Sequence, residues 1–92
     1  MARTVVAMAM ADDEHHVWFA GQVEQCLGAL ARLELGQTRE RLAHAVRGDA
    51  HPVELGRWRV WIEDALSRDP RLADDLSRLR LEANARLLRT YQ

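Results

Sequence analysis

Apolar residues recur along this chain at helical spacing. In residues 69–92, Leu72, Leu76, Leu79, Ala83 and Leu87 follow one another at intervals of three and four, the period of an amphipathic helix. Asp69 before Pro70 supplies a cap and then a proline at the first helical position, where its missing N–H costs nothing. Asp74 and Asp75 near the start, with Arg86 and Arg89 near the end, match the helix dipole. Leu81 and Leu88 fall nearly opposite the main face, so this helix carries apolar residues on two sides. One core needs one side, and the second side needs a cover.

The same period runs through residues 12–35, where Phe19, Val23, Cys26, Leu27, Leu30 and Leu33 share a broad face. Asp12 or Asp13 caps this first helix and Gly36 stops it. Gly21 and Gly28 lie inside it at a cost of about 1 kcal/mol each relative to Ala. Close approach by another helix is one explanation, and exposed glycines that the helix tolerates are the other. Thr38 opens a short second helix over 39–47, with Leu42, Ala45 and Val46 inward and Gly48 at its end. Pro52 stands in the first turn of a third helix, 52–67, with Leu55, Trp58, Ile62, Ala65 and Leu66 inward and Trp61 at the edge. That helix ends at Asp69, which the following proline pushes out of the helical region.

Residues 1–11 are weakly patterned. A flexible tail, a short strand added to a neighbour and an extension of the first helix are the options; the favoured reading is a tail or irregular N-terminal extension, ahead of a single helical domain over 12–92. The segment imitates a signal peptide, with Arg3, then Val5-Val6-Ala7-Met8, then Ala9-Met10-Ala11. It is shorter than the roughly 15–30 residues such a signal needs. Met8 and Met10 are candidate later translation starts.

Short loops between helices favour antiparallel neighbours. The expected fold is all-α: a small antiparallel four-helix bundle with two long outer helices and two shorter central ones, with completion by dimerisation as an option. A dimer of helical hairpins is the alternative. The expected core comprises Phe19, Val23, Leu27, Leu30, Leu42 and Val46 from the first half, and Trp58, Ile62, Leu72, Leu76, Leu79 and Ala83 from the second.

Composition narrows function. A chain of 92 residues suits one domain, and a hydrophobic fraction of 48% argues against wholesale disorder. All 13 basic residues are Arg, yet the net charge is only -1, so no bulk field points to nucleic acid or an anionic membrane. No stretch approaches the ~18 apolar residues of a membrane span. The one cysteine, Cys26, forbids an internal disulfide and fits a reducing cytoplasm.

Candidate chemistry is sparse. Asp12-Asp13-Glu14-His15-His16 is dense in metal-ligand types, but adjacent helical residues point about 100° apart and cannot grip one ion as an i, i+4 pair does. It reads better as an acidic helix start. His44 and His51 are isolated. Arg57-Trp58-Arg59-Val60-Trp61 invites a nucleic-acid reading through stacking and phosphate contact, but Trp58 points into the core face and the two arginines diverge. A helix-turn-helix placed on Gly48 puts His44 at the small position and Arg47 and Asp49 at apolar ones, a poor match. No phosphate loop, nucleophile elbow or Cys-x-x-Cys pair occurs.

No catalytic, cofactor-binding or metal-binding residue is therefore nominated. The expected function is a small non-catalytic interaction module that self-associates or docks on a larger protein. Leu81, Leu88, Trp18 and Tyr91 are its candidate contact residues. A DNA-binding regulator or antitoxin-like protein is one alternative, and a small metal-binding or catalytic helical protein is another. The expected partner is a second copy or another protein; nucleic acid is disfavoured and no membrane is expected.

Overall fold

Gly28 has φ 95° and ψ 175°, a backbone region essentially closed to any residue with a Cβ. It divides in two what the apolar period draws as one helix. The computed structural model describes residues 1–46 and 48–91, Tyr91 by its backbone. Among them are five helices and no strand: α1 (Ala2–Ala9), α2 (Asp13–Leu27), α3 (Ala29–Ala43), α4 (Ala50–Arg68) and α5 (Leu72–Tyr91). The all-helical expectation holds, but the element count does not. Gly36 is interior to α3 rather than a stop, and residues 39–43 of the short helix expected over 39–47 are the end of α3, while residue 47 lies outside the described residues.

The break at Gly28 re-aims everything after it. On one continuous helix, Leu30 and Leu33 would share the stripe of Phe19 and Val23. In α3 the inward positions are instead Ala31, Leu35 and Thr38, at helical spacings of four and three. Leu30 and Leu33 are turned out, 73% and 59% exposed. Val46, also expected in the core, lies beyond the end of α3 and is fully exposed. An added Cβ at Gly21 or Gly28 would meet nothing within 4 Å, so close helix approach does not explain either glycine.

The larger correction concerns the N-terminus. Residues 2–9 form a helix, not an irregular tail, and α1 packs against each of the other four helices. Val5, Val6 and Met8 are wholly buried, each contributing about 1.5–3 kcal/mol by burial. Its C-terminal end is tied down as well. Arg39 of α3 donates to Ala9 O at 3.0 Å and Ala11 O at 2.7 Å, which satisfies carbonyls at the end of α1. It also pairs with Asp13 at the start of α2 at 2.8 Å.

Around α1 the core collects Phe19, Val23, Leu35, Trp58, Ile62, Leu76, Leu79 and Ala83. Leu27, Leu42 and Leu72 lie at its margin, half-buried. Asp12 caps α2 by accepting the His15 N–H at 2.9 Å, as its position predicts. Asp69 ends α4, accepts the Arg71 N–H at 3.2 Å and is followed by α5 from Leu72.

Candidate interaction surface

Leu81 and Leu88 stand two helical turns apart on α5 and are exposed, 62% and 60%. Leu88 lies beside a shallow groove of about 800 Å³ formed with Ala7, Met10 and Ala11 at the end of α1, His51 of α4, and Asn84 and Leu87 of α5. Met10 is 60% exposed on the opposite lip. Asn84 of the lining also ties the two helices together: Thr4 Oγ1 of α1 donates to Asn84 Oδ1 of α5 at 3.1 Å. An apolar groove thus runs along the seam of α1 and α5.

Trp18 does not belong to this surface. The guanidinium carbon of Arg86 sits 3.9 Å from the Trp18 ring centroid, and Phe19 lies 6.2 Å away on the core side. Arg86 and Leu88 are two residues apart on α5 and therefore point about 200° apart. Trp18 is half-buried beneath a cation–π contact, on the flank of α5 away from Leu81 and Leu88. The side chain of Tyr91 lies outside the described residues. Of the four sequence-selected residues, Leu88 lines the groove, Leu81 shares its face of α5 two turns away without lining it, and Trp18 is set apart.

Met10, Ala7 and His51 complete the groove, and periodicity did not select them. Reading residues 1–11 as a tail removed the α1 side of the seam. A second apolar groove, about 750 Å³, lies on another face between Leu27, Leu30, Val60, Trp61 and Leu72, with Cys26 at its side. Burial pushes the Cys26 thiol up from its ordinary value, and Asp75 adds to the effect.

The remaining candidates take structural places. His15 links α2 to α5, with Nδ1 2.7 Å from Asp12 Oδ1 and Nε2 3.0 Å from Thr90 Oγ1. His16 is half-buried, and its Nδ1 has no hydrogen-bond partner among the described residues. Burial, then the charge of Arg39, holds its pKa below the ordinary value. No group of three or more His, Cys, Asp or Glu among the described residues is placed to hold a metal ion. The Arg57–Trp61 segment is divided: Trp58 is buried, Arg57 lies 3.4 Å from Glu54, and Arg59 opens onto a separate cavity. No described helix is long and apolar enough to cross a membrane. Compared with known protein families, curated proteins and solved structures, the chain matches none of them.

Proposed function

We propose that this chain is a small non-catalytic helical interaction module. It self-associates, or docks on a larger protein, through the α1–α5 seam at Met10 and Leu88, extended by Leu81 two turns earlier on the same face of α5. The observation that carries the reading is the pairing of Met10 and Leu88 across one groove, both 60% exposed. The core is already closed beneath them by Val5, Val6, Met8 and Ala83, so these side chains are surplus to the fold. An apolar groove with polar neighbours is the usual form of a protein contact surface. In this reading a second copy covers the seam and completes the helical bundle, and the free Cys26 suits a cytoplasmic setting.

Methyl NMR spectra over a dilution series test it. The methyl signals of Leu81, Leu88 and Met10 shift with concentration, while those of the equally exposed Leu30 and Leu33 stay in place. Concentration-independent spectra, or shifts centred on Leu30 and Leu33, contradict contact between copies through this seam.

A further inference from the structure

We propose that a cavity where α1, α4 and α5 meet binds a small phosphate-bearing molecule. The cavity measures about 560 Å³, and Arg3 of α1, Arg59 of α4 and Arg80 of α5 all line it. Most described arginines are spent on carboxylates: Arg32, Arg39, Arg41, Arg57, Arg68, Arg71, Arg78 and Arg86 each have one within 4.0 Å. Among the described residues Arg3, Arg59, Arg80 and Arg89 have none. Three of these four converge on this one cavity from three different helices.

The surroundings do not neutralise that charge. Glu63 also lines the cavity, yet it pairs with none of the three, even though Arg59 is its i−4 neighbour on α4. The amino group of Met1 lies at the same place, and burial, followed by the charges of Arg80 and Arg3, holds its pKa below the ordinary value. The first turn of α1 opens here without a side-chain cap, so its positive dipole end adds to the field. Because the Thr4 hydroxyl takes up Asn84 Oδ1, the Asn84 amide nitrogen remains as a neutral donor at the edge.

Three guanidinium forks suit an oxyanion with several charged oxygens better than a single carboxylate. The volume exceeds that of one phosphate group and lies in the range of small-ligand sites. Glu63 at the rim can accept a hydrogen bond from a ligand hydroxyl or amine. A diphosphate, or the phosphate end of a small metabolite, meets these conditions. The cavity has its own lining, shared with the seam groove only at Ala7 and Asn84. The inference therefore stands apart from the contact surface proposed above.

The test is titration of the full chain with inorganic pyrophosphate at low ionic strength, read by amide and arginine Nε NMR signals. Saturable shifts are expected at Arg3, Thr4, Arg59 and Arg80. Arg59→Gln and Arg80→Gln each weaken binding by about tenfold, the loss of one charge-assisted contact. Arg89→Gln, which removes an arginine outside the cavity, leaves binding unchanged. All three positions are exposed, so circular dichroism should show the fold retained. Absence of saturation up to ~10 mM, an affinity four decades weaker than a typical micromolar site, overturns the proposal. Equal losses in all three variants also overturn it, since that is general charge attraction. A short DNA duplex that saturates the same signals where pyrophosphate does not assigns the arginines to a nucleic-acid backbone and overturns it as well.

Discussion

The indole Nε1 of Trp58 donates to Thr38 Oγ1 at 2.8 Å, in a fully buried contact that joins α4 to α3. Glu54, one turn earlier on α4 and 3% exposed, lies beside it. Arg41 closes the group, donating to Glu54 from Nε at 3.1 Å and from Nη2 at 2.9 Å, and to Glu34 at 2.9 Å. Buried polar groups are costly unless paired, so each member depends on the others. Thr38→Val leaves the indole N–H without an acceptor and should cost about 1–3 kcal/mol in urea unfolding. Thr38→Ser, which keeps the hydroxyl, should cost less. Equal losses would show that methyl packing, not the hydrogen bond, matters at this position.

The same group has a pH signature. Burial pushes the Glu54 carboxyl up, but the hydrogen bond from Arg41, with Thr38 and the Arg41 and Arg57 charges, outweighs it and holds the pKa below the usual carboxylate value. A carboxyl depressed in the folded state contributes stability above its unfolded value and loses it as pH falls through the folded one. Wild-type stability should therefore drop below about pH 4.5, the usual carboxylate range, more steeply than that of Glu54→Gln. Parallel pH profiles for the two proteins would contradict this.

His16 titrates with a comparable sign at higher pH. Its folded-state pKa lies below the ordinary value, chiefly through burial, with Arg39 next and Asp13 partly opposing. Between that depressed pKa and the usual histidine value of about 6.5, the unfolded chain binds more protons. Stability then falls as pH is lowered from 7.5 to 5.5. His16→Gln should flatten that fall, measured as the change in urea midpoint between the two pH values. A variant with an unchanged slope would assign the titration to another group.

Two glycines give opposite outcomes under one substitution. Gly28→Ala forces a Cβ onto φ 95° and should cost about 1–3 kcal/mol. Gly21→Ala, within α2 and with nothing inside 4 Å of the new methyl, should gain about 1 kcal/mol from helix propensity. Thermal midpoints of the two variants should move in opposite directions. Stabilisation of both would mean that residues 13–43 run as one continuous helix.

The sequence explains these outcomes unevenly. α4 and α5 were legible because Pro70 and Asp69 punctuate them and their inward residues keep one period. The turn at Gly28 was not, since a glycine tolerated in a helix and a glycine that breaks one are written identically. α1 is an eight-residue helix without a capping side chain, too short for period to separate it from a tail; what holds it is contact with all four other helices. The exposure of Leu81 and Leu88 could be read from the helical wheel. The cover over Trp18 could not, because Arg86 reaches it from a helix far along the chain. Arg3, Arg59 and Arg80 likewise meet only through tertiary packing.

The central place of α1 has its own test. Met8→Ala removes a wholly buried side chain and should cost about 2–5 kcal/mol. Val17→Ala, at an exposed position of α2, should stay within about 0.5 kcal/mol. Chemical unfolding of both variants checks the contrast. Equal, small effects would return residues 1–11 to the status of a loose extension.

Sedimentation equilibrium tests the contact surface most directly. The wild-type chain should show reversible association between about 1 and 200 μM, a span centred on ordinary weak-dimer affinities. Leu81→Glu combined with Leu88→Glu should sediment as a monomer with an unchanged circular dichroism spectrum. A wild-type chain that stays monomeric throughout, or a double variant that associates as the wild type does, would contradict self-association through the α1–α5 seam.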